Sequence, residues 1–353
     1  MQVPVILVSG ISADAMAVTT VGLQWDLPRA VVVRHEIDYE RSVLLRLISD
    51  ASGVLEREEL DIAHACVSCA IREDIIPTLE RLGEHGAWGA IIAHLPVTAE
   101  ATQVCRVLGM DTDIAPHVRI SASVVALEAA SIVDDLLGDE LVVERDLGAS
   151  ESDERSIAEV ACAMVEYADL IMLDGALSKP ARELLVALAR PNAIAAEDPA
   201  DVETAALVSG IHNHSESEQW VAPVPLTRAV GAELEDVWVL DFKSHLPFHP
   251  DRLNAAIERL GTGQRRSRGC FWLPTRPHQI CIWDGAGGQL SIGSAPQVWG
   301  KKRPRTHIVI TGVGGGRDRV ERDFRDCLLT REEVATMGVN WPVAEDGFEP
   351  WLG

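Results

Sequence analysis

Lysine is missing from the first half of this 353-residue chain, the first one being Lys179. That absence excludes an ordinary lysine-bearing phosphate loop from the N-terminal half. No apolar run is long enough to span a bilayer. The opening Met1-Gln2-Val3-Pro4-Val5-Ile6-Leu7-Val8-Ser9-Gly10 has no basic stretch ahead of its apolar residues, so it reads as a first strand and not as a secretion signal. Seven cysteines, five of them isolated in sequence, do not make a disulfide framework; they fit a reducing compartment, and the expected location is the cytoplasm. Basic residues are scarce up to Glu235, 15 against 40 acidic ones, a net charge of −25. From Asp236 onward 16 basic residues face 14 acidic ones, a net of +2, and such asymmetry is a sign of two domains. An acidic N-terminal domain repels DNA and suits a basic protein partner, or simply keeps the chain in solution.

The apolar pattern agrees with a division near residue 211. Short β-branched runs at 3–8, 30–33, 89–93, 118–126 and 170–173 alternate with amphipathic stretches at 71–82 and 154–168, the latter with Ser150 or Ser152 as its N-cap. This alternation predicts an α/β domain over 1–210 with a parallel sheet covered on both faces. Residues 211–235, polar and then proline-containing, read as a linker; His212-Asn213-His214 offers two imidazoles that could bind metal, but reads in preference as part of the linker's exposed surface. Beyond it, strand-like runs at 237–242, 269–273, 279–283 and 306–310 and helical patterns at 250–260 and 319–329 predict a small α+β domain over 236–335. Gly312-Val313-Gly314-Gly315-Gly316 reads as a flexible hairpin-type connection, and 336–353 as a loose tail.

Four segments together resemble the CobW-type GTPases. Val5-Ile6-Leu7-Val8-Ser9-Gly10 sits where that family has a strand entering its phosphate loop, and Ala65-Cys66-Val67-Ser68-Cys69-Ala70-Ile71-Arg72-Glu73-Asp74 is similar to its GCxCCxIRxDL segment. Tyr167-Ala168-Asp169-Leu170-Ile171-Met172-Leu173 resembles the strand before its guanine-reading motif. Pro247 to Leu253 with Arg268 to Leu273 resembles its C-terminal domain. The resemblance implies a phosphate-loop fold followed by a CobW C-terminal domain. Within the family it is greatest to a degenerate branch that includes a mycobacterial recruiter of a ribosome hibernation factor.

The departures fall on the chemistry. A working loop reads G-x-x-x-x-G-K-[ST], its amides and lysine meeting the phosphates. Here the stretch runs Gly10-Ile11-Ser12-Ala13-Asp14-Ala15-Met16-Ala17: Met16 stands for the lysine, Ala17 for the Mg²⁺-binding hydroxyl, and Asp14 adds a negative charge. His94 occupies the second strand near the family's acidic residue, and Asp174-Gly175-Ala176-Leu177 replaces N-K-x-D. Three losses together predict a non-hydrolysing protein. The family's three zinc thiolates are reduced to Cys66 and Cys69, with Ser68 between them and His64 close enough to be a third ligand. The pair reads either as reduced thiols in a turn or as a weakened zinc site. Zinc is the only cofactor the segment suggests.

Two basic clusters, Arg265-Arg266-Ser267-Arg268 and Lys301-Lys302-Arg303-Pro304-Arg305, flank strands bearing Trp272, Trp283 and Trp299. They read as solvated turns or as a footprint for ribosomal RNA or an acidic protein. The resemblance implies a non-catalytic adaptor on the small ribosomal subunit that helps a hibernation-promoting factor dock when zinc is scarce. The rival readings are a zinc metallochaperone or zinc-homeostasis protein, and a residual GTP-binding switch.

Overall fold

The computed structural model describes residues 2–62, 66–148, 153–224, 234–337 and 346–353. The N-terminal sheet has eight strands: β1 (Val3–Gly10), β2 (Ala30–Asp38), β3 (Val43–Asp50), β4 (Gly53–Asp61), β5 (Ala90–His94), β6 (Val118–Glu128), β7 (Leu170–Asp174) and β8 (Ile194–Ala196). Their order is β4-β3-β2-β5-β1-β6-β7-β8. The six strands from β2 to β8 in that order pair in parallel, whereas β3 and β4 fold back antiparallel onto the β2 edge.

The central strand shows why this sequence chooses a covered sheet. Along β1, Val5 and Leu7 pack with Ile71, Ile75 and Leu79 on one face, and Ile6 and Val8 with Ala15, Met16 and Leu23 on the other. Every residue of β1 is buried, as expected for a parallel strand with helices on both sides. The β3–β4 hairpin lies outside the sequence expectation. β4 is an exposed edge strand carrying Glu56, Arg57, Glu58 and Glu59, a charge row that hides its alternation and blunts the edge. Arg46 of β3 ties it down through Glu56 and Glu58, each at 2.5 Å.

The second sheet comprises β9 (Val237–Ser244), β10 (Arg265–Phe271), β11 (Gln279–Ala286), β12 (Gln289–Val298) and β13 (Thr306–Val313), in the order β12-β11-β10-β13-β9 with every neighbour antiparallel. The helices Pro250–Gly261 and Arg317–Asp326 cover it over a core of Phe242, Phe248, Phe271, Trp283 and Phe324. The glycine run 312–316 is a strand-to-helix connection, not a hairpin: Gly316, with φ +110°, is the N-cap of Arg317–Asp326. The tail is not loose over 346–353. Phe348 is fully buried, and Asp346 accepts from Thr275 Oγ1 at 2.6 Å and Arg276 Nε at 2.9 Å.

The stretch 211–224, read as linker, is structured. Ile211 and His212 amides both donate to Ser121 O, at 2.9 and 3.0 Å, and Asn213 caps a helix, His214–Val221, by accepting from the Glu216 amide. The helix carries little apolar periodicity, which is why sequence alone hides it. Its one large anchor is Trp220, whose Nε1 donates to Leu188 O at 3.1 Å.

The two sheets meet across a buried ion network. Glu166, on the helix Ile157–Tyr167, is 1 % exposed. It accepts from Arg266 Nε at 2.8 Å and Nη2 at 3.1 Å, and lies 3.3 Å from Arg268 Nη1. Arg266 also pairs with Asp284, and Arg268 donates to Trp220 O at 2.8 Å while its guanidinium lies 5.6 Å from the Trp220 ring centroid. Beside it the β11–β12 turn approaches so closely that a Cβ on Gly287, itself at φ +58°, would fall 1.9 Å from Gly138 O. Removing the central carboxylate leaves two buried guanidinium groups short of their shared partner. Glu166→Ala is expected to lower unfolding free energy by about 3–5 kcal/mol in a denaturant titration.

Candidate functional site

The residues at the mouth of β1 fold as a capped helix. β1 ends at Gly10 and the helix Ala13–Asp26 starts three residues later, with Ser12 in extended backbone as N-cap. Ser12 Oγ accepts from the Ala15 amide at 3.3 Å and Ser12 O from the Met16 amide at 3.1 Å, so two amides of the first turn are already satisfied within the chain. The same hydroxyl donates to Glu128 Oε1 at 2.5 Å, which brings the end of β6 over the helix start. Asp14 lies exposed in the first turn. Two carboxylates therefore meet the positive end of this helix, where a phosphate would otherwise be favoured.

Met16, at the position of the expected lysine, points into the core and is fully buried. It closes over Gly10 so tightly that a Cβ there would lie 2.8 Å from Met16 Cγ and 2.7 Å from Ala126 O. Ala17 is half-buried and offers no oxygen. At the end of β5, His94 is buried with its Nδ1 2.9 Å from Thr20 Oγ1. That hydroxyl already donates to Met16 O at 2.8 Å, so it accepts from the imidazole. Burial, then the nearby Arg34 and His35, push His94 down to about 4, leaving a neutral ring where a carboxylate would face Mg²⁺.

Cys66 and Cys69 open the other face. Cys66 is the N-cap of the turn Val67–Ala70, its Sγ accepting from the Cys69 amide at 3.4 Å, and both residues are half-exposed. His64 lies outside the described residues. The turn runs through a π-helical segment, Ile71–Ile75, into the helix Ile76–His85. The widened turn carries Asp74, which sits 2.8 Å from His35 Nε2 and pairs with Arg46, fastening the two-cysteine turn to β2 and β3. Two thiols one turn apart fit two corners of a soft-metal site, and the described residues supply no third ligand at this turn.

The structure separates the basic clusters. Arg266 and Arg268 do not form the solvent-facing patch expected of them, because only 7–9 % of each is exposed and their charges are matched in the inter-sheet network by Glu166 and Asp284. Arg265 is half-buried and donates to Arg259 O and Leu260 O. Lys301, Lys302, Arg303 and Arg305 lie on the surface, and the last three line a cavity of about 600 Å³ with His245 and Trp299.

Comparison with known proteins follows the two sheets. The family described as CobW/HypB/UreG, nucleotide-binding domain, matches residues 35–184, a span that starts after the β1–helix segment. The cobalamin synthesis protein cobW C-terminal domain matches residues 237–328. The zinc chaperone Rv0106 of Mycobacterium tuberculosis is 30% identical over 313 residues, 84% of this chain and 74% of that protein. The zinc-regulated GTPase metalloprotein activator 1 of Dictyostelium discoideum is 21% identical, covering 78% of this chain and 67% of that protein. Among solved structures, the Zn(II)-bound YjiA GTPase from E. coli covers 93% of this chain and 99% of its own at 12% identity and a TM-score of 0.38.

Because free histidine titrates at 6.5, the unfolded chain takes up a proton between pH 6.5 and about 4 that folded His94 refuses. Stability contributed by the neutral ring is thus complete above pH 6.5 and lost as the pH falls toward 4. Wild type is expected to lose up to about 2–3 kcal/mol more than His94→Gln between pH 7 and 4.5 in paired denaturant titrations.

Proposed function

Since this chain belongs to the CobW/HypB/UreG family, we propose that it is a zinc-homeostasis protein that handles the metal as cargo without a cycle of GTP hydrolysis. The observation that carries the second half of the reading is the capped helix at Ser12. A γ-phosphate held there would meet Glu128 and Asp14 in place of a lysine, and Met16 cannot reach it from the core without opening the sheet face. Catalysis of phosphoryl transfer rests on positioning and charge neutralisation, and these residues supply neither. The first half draws support from the zinc-related names of the relatives and from Cys66 and Cys69, soft donors on a turn fixed by Asp74.

Zn²⁺ in this account is picked up and passed on, so what the chain must provide is thiolate and imidazole donors that are accessible and reduced. No helix among the described residues is long and apolar enough to cross a membrane. In a melting experiment on the metal-free protein, Zn²⁺ is expected to raise Tm and millimolar GTP with Mg²⁺ to leave it unchanged. Ligand at a hundred times its Kd adds about 2.7 kcal/mol, so a shift with GTP would be plain and would overturn the reading.

A second reading, an adaptor that brings a hibernation-promoting factor to the small ribosomal subunit, keeps one supporting observation. Lys302, Arg303 and Arg305 project around a cavity of about 600 Å³ backed by Trp299, an arrangement suited to a phosphate backbone. Under this reading a Lys301/Lys302/Arg303→Glu variant co-sediments less with ribosomes, and its salt slope flattens by about one unit for each phosphate it no longer neutralises. Identical curves for variant and wild type would remove this face from any such interface.

A further inference from the structure

The buried end of the sheet brings together a second set of soft donors that lie far apart in sequence. Cys105 sits on the helix Ala101–Met110 and is 4 % exposed. The His212 amide donates to Ser121 O of β6, and His214 opens the helix His214–Val221. One ligand atom from each of Cys105, His212 and His214 lies within 4.8 Å of the other two. Cys105 Sγ is 3.7 Å from His212 Nε2. The nitrogen–nitrogen and sulfur–nitrogen edges of a zinc tetrahedron are roughly 3.3 and 3.5 Å, as follows from Zn–S and Zn–N bonds of about 2.3 and 2.0 Å, so the 3.7 Å separation closes only slightly on binding.

The surroundings are built to aim these donors. Asp169 Oδ2 lies 2.9 Å from His212 Nδ1 and accepts from the Ser123 amide at 2.7 Å, while its other oxygen pairs with Arg190. This carboxylate accepts from Nδ1 and leaves Nε2 facing Cys105, the outer-shell arrangement that orients a metal-binding imidazole. His212 is itself buried, with 3 % of its side chain exposed, so its orientation is set by these contacts. Tyr167 Oη lies 2.7 Å from His214 Nδ1 and 3.4 Å from His212 Nε2, closing the cluster from the side of the helix Ile157–Tyr167. His214 is half-exposed, with the Arg106–Glu218 ion pair nearby.

We propose that Cys105, His212 and His214 form a Zn²⁺ site distinct from the Cys66–Cys69 turn. The proposal rests on the zinc-handling reading and names where on this chain the metal is held. One thiolate and two imidazoles select a soft divalent ion of the Zn²⁺ type over Mg²⁺ or Ca²⁺. Three protein ligands leave the fourth position to water or to a donor from another molecule, so the site is open to exchange. His214 also opens the helix His214–Val221. The opposite end of its helix carries Trp220, held by Leu188 O and by Arg268 of the second sheet.

The test uses the full-length protein stripped of metal by a chelator and titrated with Co²⁺, then Zn²⁺. Wild type, His214→Ala, Cys105→Ser and a Cys66→Ser/Cys69→Ser double variant are compared, with circular dichroism to confirm that each is folded. His214 lies at the exposed start of its helix, so its variant reports on binding if Cys105→Ser is unstable. The expected result is a thiolate-to-cobalt charge-transfer band that survives in the Cys66/Cys69 variant and disappears in Cys105→Ser. In His214→Ala, Zn²⁺ binding should weaken by more than the roughly 10–100-fold that loss of an outer-shell partner produces. A band and an affinity unchanged in His214→Ala and Cys105→Ser but lost in the Cys66/Cys69 variant would overturn this site while leaving the zinc reading intact. Absence of Zn²⁺ and Co²⁺ binding in wild type would overturn both.

Discussion

A single carboxylate, Glu166, organises the contact between the two sheets. Taking one acid and two arginines out of water is costly, and the cost is offset because Glu166 receives Arg266 through two hydrogen bonds and Arg268 lies 3.3 Å away. Arg268 also donates to the Trp220 carbonyl and covers that ring. Strand β10, the end of the helix His214–Val221 and the approach of Gly287 to Gly138 all border this cluster. Glu183 adds a second tie at the sheet edge, its carboxylate accepting from the amides of Glu235, Asp236 and Val237. Burial raises this acid's pKa, and the three amides outweigh it and hold the group below its usual range.

The same logic explains what became of the nucleotide end of the sheet. Each missing group is replaced by one that packs or pairs: Met16 fills the core under Gly10, His94 bonds Thr20, and Glu128 takes the Ser12 hydroxyl. These substitutions support one another, since Thr20 joins His94 to the Met16 carbonyl. Restoring a single lysine would place an unpaired charge in a dry pocket. A fold whose parts are held this way keeps the sheet and the C-terminal domain of its family.

Much of the fold was legible because buried parallel strands are short, largely apolar runs, and residues 3–8, 118–126 and 170–173 read as such strands. The hairpin 43–61 was not, because β4 alternates charges and not apolar residues. At the loop, the residue types of Gly10, Asp14, Met16 and Ala17 could be read from sequence, whereas the amide partners at Ser12 and the Glu128 hydrogen bond needed coordinates. Arg266 and Arg268 show the opposite failure. Adjacent basic residues look like a surface patch, and only the partner at Glu166, a hundred residues away, reveals them as buried. His212 and His214 could be named as possible metal donors, but the exposed-linker reading was preferred because their partners Asp169, Tyr167 and Cys105 are 43, 47 and 107 positions distant.

The central claim is that metal handling on this chain is uncoupled from nucleotide. Measuring the Zn²⁺ affinity by chelator competition, with and without millimolar GTP and Mg²⁺, addresses it directly. The account predicts one affinity under both conditions, because no residue at the Ser12 helix start favours the phosphates. A GTP-dependent change in Zn²⁺ affinity of tenfold or more, on the order of 1.4 kcal/mol of coupling, would contradict it.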